Sequence, residues 1–223
     1  MVLLIFNRQW RALMWFAIIG GGLGLASIAV AGWPLHFEFL QQMSNISGEI
    51  ALTSAGYLVE SLLLQLDQFI RGLPMVDGRV GRIYTFDEPL WIWLTTRLDF
   101  GLGLIWIYRA TRQLADAPRL AVQLFTLSLL MALIGPFTGS RYYVLPLLMS
   151  SALYWVMPKF RATTWIVGVS LCENIIVFVQ VFPLNQYFLV TTLLPVTRFA
   201  ALFVATLRAA SQSVPVMRPA AAG

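Results

Sequence analysis

Residues 12–33 read ALMWFAIIGGGLGLASIAVAGW, an uncharged run that directly follows Arg8 and Arg11. A helix needs about 20 consecutive apolar residues to cross the hydrocarbon core of a bilayer. The run is long for the apolar core of a cleavable signal peptide, so we interpret it as an anchoring transmembrane helix. Within it, Gly20 and Gly24 have the small-xxx-small spacing that permits two helices to approach closely.

The rest of the chain has the same apolar character. Of its 223 residues, 59% are hydrophobic and only 11% are charged, with a mean hydropathy of +0.76. A soluble domain is nearer to a quarter charged, so these polar residues are too few to cover a water-soluble globule. The net charge of +5 is distributed in small groups between apolar segments. This pattern is typical of membrane topology signals and anionic lipid contact, and disfavours a nucleic-acid partner.

Five further spans are predicted after the anchoring helix. They cover approximately Leu90–Tyr108, Leu120–Phe137, Tyr142–Met157, Ala162–Phe182 and Tyr187–Leu207. The chain is therefore predicted to be an all-α polytopic membrane protein with six transmembrane helices in one domain over residues 1–210. A flexible cytoplasmic tail is expected over residues 211–223, which contain two prolines and several alanines.

Residues 33–89 form the one acid-rich interval, predicted to be an extracytoplasmic or interfacial insertion between the first two spans. It holds seven of the ten acidic residues: Glu38, Glu49, Glu60, Asp67, Asp77, Asp87 and Glu88. Apolar residues from Val59 to Ile70 follow helical spacing, with polar residues between them, which predicts an amphipathic helix at the bilayer surface or against the bundle. A span over Ile46–Leu66 is rejected because it would carry Glu49 and Glu60 through lipid. Arg79–Glu88 is expected to be an external loop or a short hairpin.

The basic residues predict which side of the membrane each loop occupies. With the N-terminus inside, nine basic residues face the cytoplasm, among them Arg109, Arg112 and Arg119, and only four face outward. The positive-inside rule favours this arrangement, so both termini are predicted to be cytoplasmic. The predicted location is a bacterial-type inner (plasma) membrane, which the chain crosses several times.

Four ionisable residues fall inside the predicted spans, where charges are costly and frequently functional. They are Arg97 and Asp99 in the second span, Glu173 in the fifth and Arg198 in the sixth. Glu173 and Arg198 are the best candidates for a direct pair. Arg97 and Asp99 point about 200° apart on a helix, so Arg97 is expected to reach lipid headgroups and Asp99 to join the pair. Two interpretations stay open: an ion network that fixes helix register, or a binding cavity open to the outer face.

A second distinctive stretch places Arg141 and Tyr142 at the predicted outer interface, as possible contacts for a lipid headgroup or phosphate. The simpler interpretation is a tight turn with interfacial aromatic anchors. Arg141-Tyr142-Tyr143-Val144-Leu145-Pro146 also resembles a stretch of polytopic glycosyltransferases and O-antigen polymerases that use lipid-linked sugars. That resemblance implies an outer-face arginine that binds pyrophosphate; it covers these six residues and does not assign the family.

Three functions are compatible with these features. The first is a non-catalytic subunit of a multi-protein envelope assembly for secretion, conjugation or transport, in contact with partner subunits or a second copy through the Gly20–Gly24 helix. The second is a small transporter with an outward-facing polar cavity, and the third is a membrane enzyme acting on a lipid-linked substrate. With one cysteine, one histidine and no nucleotide-binding motif, no metal or cofactor is expected, and catalysis is disfavoured.

Overall fold

The structure is a computed structural model that describes residues 4–5, 7–46, 49–53, 59–73, 83–134, 144–179 and 188–213. These residues are mostly helical and include one two-stranded sheet. The chain divides into two compact units, Met1–Glu49 and Ile50–Gly223, which we describe separately. The single domain over residues 1–210 stays a prediction.

The first unit consists of two helices, α1 (Trp10–Ala31) and α2 (Trp33–Ile46). The predicted anchoring helix is confirmed as a 22-residue apolar helix that begins and ends about two residues earlier than expected. Gly32 separates the helices with a φ of +82°, a conformation that glycine adopts without steric cost. The His36 ring bonds the Ser27 hydroxyl and the Gly32 carbonyl, each at 3.0 Å, and so braces this joint. The helix α2 was not predicted.

The acid-rich interval continues into the second unit as β1 (Glu49–Thr53), α3 (Val59–Ile70) and β2 (Ile83–Asp87). The predicted amphipathic helix is therefore present as α3. Because β1 interrupts the range Ile46–Leu66, that range is not one continuous helix, in agreement with the rejection of a span there. The two strands pair with each other, so β2 bonds a strand some thirty residues earlier in the chain instead of folding back on itself.

The remaining long helices are α4 (Leu90–Thr111), α5 (Asp116–Ile134), α7 (Lys159–Val179) and α8 (Phe188–Gln212), with α7 preceded by the short helix α6 (Val144–Met149). Among the described residues, four helices are long and apolar enough to cross a membrane: α1, α4, α5 and the Thr192–Gln212 part of α8. They coincide with the first, second, third and sixth predicted spans. The helix α7 has the length of a span, although its side chains beyond Ser170 lie outside the described residues.

The fourth predicted span, Tyr142–Met157, is described only from Val144 and is not one continuous α-helix. The helix α6 contains Pro146 and is followed by a 3₁₀ helix, Ser150–Trp155, so among the described residues the apolar helical stretch covers Val144–Trp155. The Ser150 hydroxyl donates to the Leu147 carbonyl at 2.6 Å, at the point where the helix type changes. A stretch of this length falls below the ~20 residues that a straight crossing requires. Six spans with both termini inside therefore stay a prediction.

Two glutamine side chains, the exposed Gln113 and the buried Gln123, show the direction of the long helices. The Gln113 side-chain amide donates to the Ala210 carbonyl at 3.3 Å, and the Gln123 amide donates to the Thr111 hydroxyl at 2.9 Å. These bonds bring together the end of α4, the start of α5 and the end of α8. The helices α4 and α8 therefore run in the same direction, and α5 runs in the opposite one.

The second unit consequently has two chemically different ends. The basic end contains the α4–α5 turn, the start of α7 and the end of α8, with Arg109, Arg112, Arg119, Lys159, Arg161 and Arg208. The acidic end contains α3, β2 and the starts of α4 and α8, with Glu60, Asp67, Asp87 and Glu88. Between them lies an apolar core that includes Ile107, Phe125, Leu129, Phe199 and Leu207.

Candidate functional site

At the acidic end, the helix α3 turns its polar side toward the protein. Its buried residues include Glu60, Ser61, Gln65 and Gln68. Its apolar residues Phe69 and Ile70 are 63% and 81% exposed, and Leu66 is 36% exposed. A surface helix in water has the reverse arrangement, because water solvates the polar face. The apolar outer face of α3 is suited to contact with lipid, and its polar inner face forms the candidate site.

An ion pair between α3 and α4 is the centre of this site. Arg97 Nη1 donates to Glu60 Oε1 at 3.1 Å. The Glu60 side chain is only 6% exposed, whereas the Arg97 side chain is 39% exposed. The Arg97 guanidinium also lies 5.7 Å from the centre of the Trp93 ring, within the range of a cation–π contact. Arg97 thus links a buried carboxylate to the protein surface.

The carboxylates of the site are poised to take up protons. Burial raises the pKa of Glu60, although the Arg97 charge and hydrogen bonds from Arg97 and Thr96 act in the opposite direction. Burial also raises the pKa of Glu88, and the nearby Glu60 charge adds to that effect. Desolvation disfavours the ionised form of a carboxyl group, and a second carboxylate close by does the same. The site therefore favours binding a proton more than an exposed acidic cluster would.

Two glutamines extend the polar face of α3 toward α8. The Gln65 side-chain amide donates to the Thr192 hydroxyl at 3.3 Å, and Gln65 is almost fully buried. The buried Oε1 atoms of Gln65 and Gln68 have no hydrogen-bond partner among the described residues. A buried acceptor without a donor costs free energy. The inner face of α3 therefore has acceptor capacity that a water molecule or a small cation would satisfy.

The ionisable residues selected from the sequence lie in different places. Arg97 contacts Glu60, which the sequence analysis had not chosen as its partner, and Asp99 on the same helix is exposed. The Arg198 guanidinium lies 4.9 Å from the centre of the Phe199 ring, at a cavity between α7 and α8. The Glu173 side chain lies outside the described residues, so its pairing with Arg198 stays a prediction.

Arg141 and Tyr142, the predicted headgroup or phosphate contacts, also lie outside the described residues. Their role, and the enzyme hypothesis that depends on Arg141, stay predictions.

Sequence reasoning missed Glu60 as a site residue, although a signal was present. The polar residues Glu60, Ser61, Gln65 and Gln68 repeat at helical spacing, so they form one stripe as clearly as the apolar residues do. For a helix bounded by lipid, that polar stripe is the one expected to turn inward.

No protein-family model, no curated protein and no solved structure matches this chain.

Proposed function

We propose that this chain is a non-catalytic subunit of a multi-protein envelope assembly, such as a secretion, conjugation or transport complex. It would lie in a bacterial-type inner membrane with both termini in the cytoplasm. The observation that carries this proposal is that the first unit by itself leaves the Gly-rich surface of α1 uncovered. That surface offers a contact for a partner subunit or a second copy of the chain.

The helix α1 buries none of its residues. A Cβ atom placed on Gly20, Gly21, Gly22 or Gly24 would meet no other atom within 4 Å. Glycine in a helix interior costs about 1 kcal/mol relative to alanine, so a cluster of four lowers the intrinsic stability of the helix. In membranes that cost is offset where a second helix packs closely against the small residues. A partner helix against Gly20 and Gly24 would supply this compensation.

The polar groups of the second unit also support a structural role. Polar side chains bond one another across helices: the buried Glu60 with the partly exposed Arg97, Gln65 with Thr192, and Gln123 with Thr111. Such links fix the register of neighbouring helices. None of the three pairs has the arrangement of a nucleophile activated by a base.

The proposal is tested by purifying the tagged chain from its native membrane in a mild detergent and identifying the copurifying proteins by mass spectrometry. We expect a complex with other membrane chains or with a second copy. Leucine at both Gly20 and Gly24 should release those partners. The matched control is Gly22→Leu, which places the same side chain about 200° away on the opposite face and should leave the complex intact. A wild-type chain that elutes alone as a monomer would contradict the proposal.

A small transporter is the second candidate, supported by the polar inner face of α3. Glu60 is buried with a raised pKa, and the acceptor atoms of Gln65 and Gln68 lie on the same face. These groups suit a proton or a small cation, with Glu60 as the group that takes up and releases charge.

This second candidate is tested by measuring ion flux into proteoliposomes that contain a pH-sensitive dye. Gradients of protons, Na⁺ and K⁺ are applied in turn. We expect flux that Glu60→Gln abolishes while the protein stays folded. Asp99→Asn and Glu173→Gln test the route originally selected from the sequence. The absence of flux from the wild type would remove the transporter hypothesis. Undiminished flux in all three variants would show that Glu60, Asp99 and Glu173 are not on the route.

A further inference from the structure

At the basic end, two arginines from different helices line one cavity. Arg161 is in the first turn of α7 and Arg208 is one turn before the end of α8. The cavity between the two helices has a volume of about 670 Å³. That is within the range of about 300–1,000 Å³ that is typical of small-molecule sites.

Both guanidinium groups of this cavity are available to a ligand. Arg161 and Arg208 are exposed, and among the described residues neither is within ion-pair distance of a carboxylate. Other described arginines do have such partners: Arg71 pairs with Asp67, and Arg119 with Asp116. Two adjacent cations without a counter-charge at a membrane interface are expected to attract an anion.

The walls of the cavity show which kind of anion fits. On the α8 side most of the lining residues are small or apolar, among them Ala200, Ala201, Val204 and Ala205. The polar residues are Gln212 near Arg208 and Thr197 farther along the helix, where the Thr197 hydroxyl donates to the Leu193 carbonyl. At a rise of 1.5 Å per residue, Ala200 lies about 12 Å along the helix from Arg208. The groove therefore has a cationic mouth and an apolar floor that leads toward the middle of the helix. This combination fits an anion attached to a hydrocarbon chain better than a free anion.

A second groove begins at the same mouth. Arg161 and Trp165 also line a neighbouring cavity of about 700 Å³. Its other lining residues are Phe160, Thr164, Gly168, Val169 and Arg198, whose guanidinium lies over the Phe199 ring. Trp165 lies one helical turn from Arg161 and separates the two cavities. Tryptophan is favoured at the level of lipid headgroups, where its ring contacts both polar and apolar groups. Two grooves that share Arg161 and Trp165 can receive the two chains of one headgroup.

We propose that Arg161 and Arg208 form a binding site for an anionic phospholipid. Its phosphate would lie between the two guanidinium groups, with one acyl chain along Ala200–Ala205 and the other on the far side of Trp165. Paired hydrogen bonds from arginine to phosphate give both charge attraction and orientation. This inference is independent of the proposed subunit role and requires only that the helices lie in a membrane.

To test this proposal, the full chain is reconstituted in vesicles that contain equal amounts of phosphatidylglycerol and phosphatidylcholine. The protein is then extracted in a mild detergent. Retained lipids are quantified by mass spectrometry. Each cationic side chain near a membrane surface favours anionic lipid roughly fivefold, so we expect clear enrichment of phosphatidylglycerol. The double variant R161Q/R208Q should reduce that enrichment about tenfold or more. Retention of both lipids in their bulk ratio by the wild type would overturn the proposal.

Two further variants separate a specific site from general surface charge. R109Q/R112Q removes the same charge from the same end but from residues that do not line the cavity, so enrichment should persist. Equal loss in both double variants would show diffuse attraction to surface charge and would overturn the proposed binding site.

Ala201→Phe fills the groove and leaves the arginines intact. It should also lower phosphatidylglycerol retention, and undiminished retention would show that no acyl chain lies there. Circular dichroism and elution profiles verify that each variant is folded.

Discussion

The two ends of the second unit use charged residues in opposite ways. At the acidic end, both described arginines have carboxylate partners: Arg97 with the buried Glu60, and Arg71 with Asp67 at 3.0 Å. At the basic end, Arg119 contacts Asp116, whereas Arg161 and Arg208 stand exposed at a cavity mouth. Arg97 therefore links two helices at the acidic end, whereas the Arg71–Asp67 and Arg119–Asp116 pairs each lie within one helical turn. The burial of Glu60 distinguishes the pair that links helices from the two local pairs.

The orientation of α3 depends on what surrounds the acidic end. A helix whose carboxylate and amides turn inward while Phe69 and Ile70 turn outward is stable only where its outer surroundings are apolar. The acidic end thus buries one charged residue, Glu60, although Arg71 and Asp87 are exposed, whereas Arg161 and Arg208 of the basic end are both exposed. Substitutions should consequently affect stability at the acidic end and membrane interactions at the basic end.

The largest expected effect concerns the sides of the membrane on which the two ends lie. Arg71 and Arg112 are exposed, one after α3 and the other after α4. In a Cys172→Ser background, a cysteine at position 71 should react with a membrane-impermeant maleimide in intact cells. A cysteine at position 112 should react only after the membrane is opened. Labelling of both positions under the same condition would place the two ends in one compartment and invalidate the predicted topology.

Loss of the Arg97 side chain is the next largest effect. Arg97→Ala leaves the Glu60 carboxylate buried without its counter-charge, which we expect to lower the free energy of unfolding by about 2 kcal/mol. The partial exposure of Arg97 keeps the value below that of a fully buried pair. Denaturation in detergent measures it, and Arg112→Ala, an exposed arginine of the basic end, should be nearly neutral.

The double variant E60Q/R97A sharpens the interpretation. If the cost comes from the unpaired carboxylate, neutralising Glu60 should recover most of the lost stability. A double variant as unstable as R97A would instead show that the arginine stem, through its packing on Trp93, contributes the larger part.

The pH dependence of stability should also differ between the ends. Because the folded protein raises the pKa of Glu60 and Glu88, it binds these protons more readily than the unfolded chain does. Their contribution is fully favourable below the ordinary carboxyl pKa of 4.5 and is lost as the pH rises through the higher folded-state pKa. Thermal midpoints measured from acid to neutral pH should therefore fall more steeply for the wild type than for E60Q/E88Q. Parallel curves would contradict the role of burial.

The sequence was sufficient to predict the long helices and insufficient to orient the short one. Spans at α1, α4, α5 and α8 follow from the number of consecutive apolar residues, which is a local property. The orientation of α3 depends on whether water or lipid surrounds it, and residue spacing identifies the two faces without saying which turns inward. Glu60 and Arg97 are 37 residues apart in the sequence, and they pair because α3 packs against α4.

The fourth span shows a different limit. Hydropathy counts apolar residues, and Val144–Trp155 has enough apolar neighbours to extend the predicted segment in both directions. Conformation depends on more than apolarity: Pro146 removes a backbone donor, and Ser150 bonds a carbonyl of the preceding turn. The helix changes to the 3₁₀ type at this point, and residue counting does not predict that change.

The smallest effects concern the two buried glutamines. Gln123→Leu removes a 2.9 Å bond to Thr111 at the basic end and should cost about 1 kcal/mol. Gln65→Leu removes a longer bond to Thr192, at 3.3 Å, but it also removes an Oε1 atom that has no partner among the described residues. These contributions oppose each other, so Gln65→Leu should be close to neutral in detergent denaturation. A cost for Gln65→Leu equal to that for Gln123→Leu would mean that the oxygen is bonded in the folded protein. The polar face of α3 would then be a satisfied helix contact instead of a site with capacity for a ligand.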